Sequence, residues 1–313
     1  MSRHNYDMEI GILGNDYPVR DAEVTTATNA EISAIPSNYL AVINEQTQQV
    51  LGVNSPNYKV CQNKDLFFSV ETALMETLGY EPDKVSMKSW MKNNGQSIIQ
   101  HYDLTDSVTD ITETEGDSLI PRIRVTNSYD GTLPVSVRID TLRLLCKNGM
   151  VGFKPISEFT LRHMGNNFDE MQDIIYSRIE SGLNMAKERM DNYKQWATTR
   201  LEVHKEDFIK VGSKILDKWV DNEQVTHRAE GIWELIEREQ RIYESYDPTV
   251  WNLYNGLTEY ITYGMDGHNT ERESHTFRNT FYSQDRRQKK VKTFLKKLAH
   301  ETGGYQAFNI LEH

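Results

Sequence analysis

The first half of the chain alternates apolar and polar residues with a period of two, which is typical of β-strands. The segments YLAVINEQTQQVLGV, from Tyr39, and VSMKSWMKNNGQSIIQHYDL, from Val85, each predict two strands about a polar turn. Between them, KDLFFSVETALMETLGY places apolar residues at three- and four-residue steps. That spacing predicts a helix with Asn63 as its N-cap and Gly79 at its end.

Two further strands are predicted in LIPRIRVTNSYDGTLPVSVRIDTLRLLC, with the bend between them at Asp130-Gly131. Apolar residues in both strands alternate with arginines. Because alternate residues of a strand lie on the same face of a sheet, Arg122, Arg124 and Arg138 are expected to share one face. We expect the opposite face to be apolar and packed, and the arginine face to be wet and basic.

From Gly165 onward the apolar positions recur at three or four residues, which predicts helices. The first is long and covers residues 168–201, with Asn166 or Asn167 as its N-cap. Shorter helices are expected over residues 206–220, 227–243 and 249–263, followed by a final basic helix that ends at Gly303-Gly304. Strands followed by helices predict an α+β fold, with an antiparallel sheet and one helix in the N-terminal half and a helical bundle in the C-terminal half.

This pattern divides the chain into four regions. The predicted regions are an extended acidic arm (1–36), a sheet-plus-helix domain (37–165), a helical region packed on or beside the sheet (166–264), and a basic C-terminal helix and tail (265–313).

Charge is distributed unevenly along the sequence, whose formal net charge is −11. Residues 101–117 hold six acids and no Lys or Arg, whereas the next 48 residues hold seven bases against three acids. The net charge argues against a protein that coats duplex DNA, because neutralising phosphates needs clustered Lys and Arg. Local basic surfaces on the protein remain compatible with a negative net charge. A solvated face is nevertheless the simpler interpretation of any one charged run.

The sequence offers little evidence of catalysis or of a bound cofactor. No Gly-rich phosphate loop and no recognisable metal-ligand spacing occurs, so we expect neither a cofactor nor a metal. No apolar run is long enough to cross a membrane, and no signal peptide is recognisable. With only Cys61 and Cys146, reduced thiols and a cytoplasmic location are expected. Cys146 is either a nucleophile near His163 or a buried thiol.

Two further features leave alternatives open. Arg162 and His163 precede GNN, which starts the long helix, so this point either binds an anion or is a plain helix cap. Aromatic residues at strand ends either stack bases or fill the core, namely Tyr58, Trp90, Tyr102 and Tyr129. The tryptophans of the helical half are expected in the core, namely Trp196, Trp219, Trp233 and Trp251.

Several segments, in their order and approximate spacing from about Tyr39 to Tyr263, resemble the phage/plasmid-like protein family, a domain family of unknown function. They are YLAVINEQTQQVLGVNSPNYKVCQNKDLF, TNSYDGTLPVSVRIDTLRLLCKNG, LRHMGN and WNLYNGLTEYI. The resemblance implies a phage or mobile-element origin and supplies no activity. The residues that carry it are Asn127, Asp130, Gly131, Arg143, Cys146, Asn148, Arg162 and His163. Hairpin, helix, antiparallel strands and a long helix are also similar in outline to the Redβ/RecT-type annealing proteins.

Three functions compete. The first is non-catalytic binding of single-stranded nucleic acid in recombination or replication, through Arg122, Arg124, Arg138, Arg143, Lys147, Arg162 and His163. The second is docking of a host defence or replication protein through the acidic surface. The third, an enzyme that uses Cys146 or His163, is disfavoured. Self-association is expected in each case. Binding of nucleic acid depends on exposed arginines. If carboxylates neutralise those arginines, protein docking becomes the favoured function.

Overall fold

The structure is a computed structural model. It describes residues 9–12, 27–30, 39–45, 47–79, 84–92, 95–112, 117–144, 156–164, 170–217, 225–242, 247–263 and 293–298. Several predicted site residues lie outside the described residues, namely Cys146, Lys147, Asn148 and Asn166. Most of the acidic arm and of the basic C-terminal helix also lie outside them.

The first half of the described chain is strand-rich with one helix among the strands, and the second half is helical, as the α+β prediction requires. The strands are β1 (Glu9–Ile12), β2 (Ala27–Ala30), β3 (Leu40–Asn44), β4 (Val50–Asn54), β5 (Val85–Lys92), β6 (Ser97–Leu104), β7 (Thr109–Asp110), β8 (Ser118–Ser128), β9 (Val135–Arg143) and β10 (Ser157–Leu161). The helices are α1 (Asn63–Leu78), α2 (Met171–Thr198), α3 (Lys205–Asp217), α4 (Val225–Ile242) and α5 (Val250–Tyr263), and residues 293–298 are also helical. The predicted α+β class is confirmed.

The chain forms two compact units that interleave along the sequence. The first comprises Met1–Val108, Ile120–Leu142 and Pro155–Ala186, and the second comprises Thr109–Leu119, Arg143–Lys154 and Lys187–His313. The division therefore does not fall at residue 165, and α2 belongs to the sheet-bearing unit as far as Ala186.

Antiparallel pairing builds the first unit. The main sheet has the order β1-β5-β6-β8-β9-β10, and a second sheet has the order β2-β3-β4. The predicted hairpins β3–β4 and β5–β6 are both present. Gly131, with φ +72°, lies in the turn between β8 and β9, and Gly79, with φ +60°, ends α1. Both glycines adopt the left-handed conformation that other residues avoid.

Asn63 does not cap α1 as predicted. It is the first helical residue, Gln62 occupies the N-cap position, and no side chain makes a capping hydrogen bond. The Asn63 side chain instead accepts a hydrogen bond of 2.7 Å from Asn127 Nδ2 in β8. Because the buried Asn127 amide donates to it, the Asn63 side chain does not turn back toward the backbone of its own helix.

Helix α2 packs closely against the main sheet at Gly182. A Cβ atom at this position would overlap Ile139 of β9 and would lie 2.7 Å from Ser157 Cβ of β10. The sheet face that carries Ile139 is therefore covered by a helix, as the apolar alternation predicted.

The second unit has a helical core. Its buried apolar residues come from α3, α4, α5 and the 293–298 segment, and include Phe208, Trp233, Leu253 and Phe294. Residues 250–257 of α5 are all buried, so this helix is covered on every side. The core prediction is confirmed for Trp196, Trp233 and Trp251, and Trp219 lies outside the described residues.

Candidate functional site

The arginine face of the main sheet, comprising Arg122, Arg124 and Arg138, is the feature that the sequence marked most clearly. Cross-strand pairing places Asp103 of β6 opposite Arg122 of β8, and His101 opposite Arg124. Arg138 of β9 and Arg124 both donate to Asp140, so the three arginines share one face as predicted.

The expectation that this face is wet is wrong. Arg122, Arg124 and Arg138 are only 8, 4 and 6 % exposed. Arg122 donates to Asp103 through Nε and Nη2 at 2.5 and 2.8 Å, and Arg124 Nη2 lies 2.9 Å from Asp140 Oδ2. Arg138 Nε lies 3.2 Å from the other oxygen of Asp140. Carboxylates satisfy these guanidinium groups because a buried charge without a partner is very costly.

His101 lies within the same face and has an unusual environment. Its side chain is buried, and neither ring nitrogen has a hydrogen-bond partner among the residues that the structure describes. The ring makes an edge contact with Trp90, with 4.5 Å between centroids. Burial, followed by the charges of Arg122, Arg124 and Lys88, holds the pKa of His101 well below its usual value, so the imidazole is neutral. Burial also lowers the pKa of Arg124, to about 10, although Asp140 opposes that shift.

A second buried charge cluster, the Asp117 network, lies in the helical unit. It consists of Asp117, Arg143, Glu239 and Trp251. Arg143 Nε donates to Asp117 Oδ1 at 2.6 Å and Nη1 donates to Glu239 Oε2 at 2.8 Å. Trp251 Nε1 donates to Asp117 Oδ2 at 3.1 Å, and its ring lies 5.5 Å from the Arg143 guanidinium carbon. Each member is at most 1 % exposed, so Arg143 is not available to nucleic acid, contrary to the sequence expectation.

The acidic stretch of residues 101–117 is not the uniform acidic surface that was expected. Its two end carboxylates, Asp103 and Asp117, are buried ion-pair partners of arginines. Asp106 and Asp110 are exposed, and Asp110 accepts a hydrogen bond of 2.5 Å from Ser118. Glu113 and Glu115 lie outside the described residues.

Arg162 and His163 differ from each other in exposure. Arg162 is exposed, whereas His163 is 6 % exposed and stacks on Tyr58 with 4.6 Å between ring centroids. His163 Nδ1 lies 3.0 Å from the carbonyl oxygen of Lys59, and the Lys59 amide donates to the His163 carbonyl at 2.8 Å. Burial lowers the pKa of His163. His163 therefore links the segment that contains Lys59 to the segment that follows β10. Of Arg162 and His163, only Arg162 is exposed to a ligand.

The remaining described motif residues support the turn after β8. Asn127 Nδ2 donates to Cys61 O at 2.9 Å and also to Asn63. Asp130 Oδ1 accepts from the amide and hydroxyl of Thr132 at 3.0 and 2.6 Å, which holds the turn at Gly131. Tyr58, Tyr102 and Tyr129, the strand-end tyrosines, are buried, so they belong to the core and do not stack bases.

A family model described as "Domain of unknown function (DUF932)" matches residues 50–295. The chain belongs to the DUF932 family. No curated protein and no solved structure matches the chain. The resemblance to a domain family of unknown function is therefore confirmed, and the DUF932 match covers both the arginine face and the Asp117 network.

The residue types that bind metals do not cluster in the described part of this DUF932 chain. No group of three His, Cys, Asp or Glu side chains that could hold a metal occurs among the described residues. Burial raises the pKa of the Cys61 thiol to about 12, so this cysteine is not a thiolate nucleophile. No helix in the described ranges is both long and apolar enough to span a membrane.

Sequence reasoning missed the carboxylates that neutralise the arginines. Asp140 follows Arg138 by two positions, so strand alternation alone would have placed it on the arginine face. Glu239, by contrast, lies 96 positions from Arg143 on a helix, and nothing in the local pattern marks it as a partner.

Proposed function

We propose that this DUF932 protein is a non-catalytic binding protein that docks another protein, and that its partner is basic. The observation that carries the proposal is the burial of the strand arginines against carboxylates. A polynucleotide backbone cannot reach guanidinium groups that are buried and already paired with carboxylates. The surface expected to bind single-stranded nucleic acid is therefore an internal polar layer.

The balance of buried charge supports a basic partner. The buried charged residues of the described chain are four arginines and five carboxylates, namely Arg122, Arg124, Arg138, Arg143, Asp103, Asp117, Asp140, Glu239 and Glu259. Nearly the whole net charge of −11 is therefore carried by other residues. Such a charge repels phosphates and steers basic proteins toward the molecule.

One exposed apolar surface offers a docking point. Phe68, Met75 and Leu78 on α1 are 61, 47 and 45 % exposed. Spacings of seven and three residues bring these side chains to one side of the helix, which we name the α1 stripe. Its rim contains three acids and one base, namely Asp65, Glu71, Glu76 and Lys64. An apolar patch ringed by Lys and Arg is the complementary partner surface.

The test uses the α1 stripe directly. A photo-crosslinking residue at Phe68 identifies the partner in cells, and the purified pair is then titrated. We expect Phe68→Ser with Met75→Ser to weaken binding at least tenfold, and affinity to fall as salt is raised. Met185→Ser, at a methionine 46 % exposed on α2, is the matched control. Crosslinking to nucleic acid alone, or equal affinity of the stripe and control variants, would overturn the proposal.

Single-stranded nucleic acid is the second candidate because two cations near the start of α1 are exposed. Arg162 and Lys59 are both exposed and are joined through the Lys59–His163 backbone hydrogen bond. Fluorescence anisotropy with an oligonucleotide of roughly 30 nucleotides, longer than typical single-strand sites, at about 50 mM salt tests this candidate. Salt-sensitive binding that is lost in Arg162→Ala with Lys59→Ala, and retained in Lys84→Ala, would favour it. No binding would remove it.

Several expectations from the sequence also belong to this proposal. They are a phage or mobile-element origin, a role like that of annealing proteins, self-association and a cytoplasmic location. Size-exclusion chromatography with light scattering, with and without the oligonucleotide, tests self-association. A monomer in both conditions would exclude an annealing-like oligomer.

A further inference from the structure

A row of three basic side chains crosses the main sheet. Lys88 of β5 lies opposite His101 of β6, and His101 lies opposite Arg124 of β8. Residues in direct register across antiparallel strands place their side chains on the same face, about 4.5–5.5 Å apart at Cβ. We propose that this row, Lys88–His101–Arg124, binds the phosphate group of a small ligand. The inference does not depend on the docking function.

The neighbouring carboxylates neutralise the row only in part. Both oxygens of Asp103 are occupied by Arg122. Asp140 is shared between Arg124 and Arg138, and Lys88 forms no ion pair with any residue that the structure describes. Because His101 is neutral, the uncompensated charge of the row is that of Lys88 together with the part of the Arg124 charge that Asp140, which is shared with Arg138, leaves unpaired. The row therefore supplies the charge that an oxyanion requires.

His101 supplies the second, independent observation. It is 5 % exposed, and both of its ring nitrogens are without a partner within the described ranges. Leaving a buried polar group without a hydrogen bond costs about 1–3 kcal/mol. A neutral imidazole carries one N–H donor, and a phosphate oxygen accepts from it. The two ring nitrogens point in diverging directions, so one phosphate satisfies one of them: a phosphate oxygen accepts from the N–H, or the P–OH of HPO₄²⁻ or H₂PO₄⁻ donates to the other nitrogen.

The β5 end of the row is its least buried end and offers a spectroscopic reporter. Lys88 and Trp90 on β5 are half-buried, whereas Arg124 on β8 is buried. A phosphate that approaches from β5 therefore meets the flexible Lys88 ammonium first and His101 next. Because the Trp90 ring already contacts the His101 ring, occupation of the row is expected to change tryptophan fluorescence.

The experiment is a titration of the full-length protein with inorganic phosphate, against sodium chloride at matched ionic strength. Calorimetry and tryptophan fluorescence are recorded, together with the NMR shifts of the His101 ring nitrogens. We expect saturable binding, a shift at His101 and at least tenfold weaker binding in Lys88→Gln. Lys84→Gln, which changes an exposed lysine just before β5, is the control and is expected to bind like the wild type.

Each result of the phosphate titration either supports or overturns the proposed site. Absence of saturable phosphate binding, or equal weakening in Lys88→Gln and Lys84→Gln, overturns the proposal. Binding that leaves the His101 resonances unmoved also overturns it, because the phosphate then lies elsewhere. Should Lys88→Gln fail to fold, the His101 shift in the wild-type protein decides the question alone. Trp90→Phe is expected to abolish the fluorescence change without abolishing the heat of binding.

Discussion

Asp103 and Arg122 lie opposite each other on β6 and β8 and form a two-point ion pair inside the sheet unit. In the sequence, Asp103 belongs to an acidic stretch and Arg122 to a basic one. Folding brings the two stretches together in register, so charges that are segregated along the chain cancel in space. This pair explains why a run of arginines does not create a basic surface.

Removing the carboxylate of this pair is expected to be severe. Asp103→Asn leaves Arg122 buried with no anionic partner among the described residues, and breaking a buried ion pair from one side costs about 3–5 kcal/mol. Asp106→Asn removes an exposed carboxylate 3.8 Å from Lys84 and is expected to change stability by no more than about 0.5 kcal/mol. Urea unfolding followed by circular dichroism measures both. Equal midpoints for the two variants would contradict the assigned role of Asp103.

The indole N–H of Trp251 is expected to matter more than that of its neighbour Trp196. Trp251 donates to the buried Asp117 carboxylate, whereas the Trp196 N–H has no partner in the described chain. Both rings are buried and contact Tyr254, so conversion to phenylalanine removes similar volume. We expect Trp251→Phe to cost about 1.5–3 kcal/mol more than Trp196→Phe, because the lost hydrogen bond is to a charged group. A thermal unfolding series measures the difference, and equal losses would show that the Asp117 contact is weak.

The buried histidines make stability depend on pH with a defined sign. Burial lowers the pKa of both His101 and His163 in the folded chain. Below the unfolded value of about 6.5, the unfolded chain therefore binds more protons than the folded one. Stability is expected to be fully present above this value and to fall as pH drops from about 7 to 5, by at most about 1.4 kcal/mol per pH unit for each histidine.

His101→Gln tests this dependence. The variant keeps a polar side chain of similar size and is expected to flatten the fall in stability between about pH 7 and 5. His204→Gln, which removes an exposed imidazole, is the control. The measurement is the free energy of unfolding from urea titrations at several pH values. If both variants keep the wild-type slope, His101 does not contribute to it.

The sequence pattern predicted the fold class and most elements because local spacing determines which residues share a face. Period two correctly placed Arg122, Arg124 and Arg138 together, and the three- and four-residue spacing located α1 and α2. The exposure of a face is not a local property. It depends on the segments that cover it and on carboxylates that arrive from other strands, so the wet basic face was the wrong part of the prediction.

Helix α2 lies close to the main sheet at Gly182, which gives a prediction in which two effects oppose each other. In an exposed helix, Gly→Ala stabilises by about 1 kcal/mol through helix propensity. At Gly182 the new methyl group would overlap Ile139 and would lie 2.7 Å from Ser157 Cβ. Overpacking typically costs about 1–3 kcal/mol. The terminal methyl of Ile139 can rotate away in part, but Ser157 Cβ is attached directly to the backbone of β10 and cannot.

We therefore expect Gly182→Ala to be net destabilising. Gly212→Ala is the matched control, since this glycine also lies within a helix, α3. There the methyl group would meet Phe294 Cζ at 3.3 Å and Ala229 Cβ at 3.4 Å, contacts that a small ring movement relieves. Thermal and urea unfolding of both variants should show a loss at Gly182 and little change or a gain at Gly212. A stabilised Gly182→Ala would mean that α2 can move away from β9 and β10 at little cost, which the close packing of protein interiors argues against.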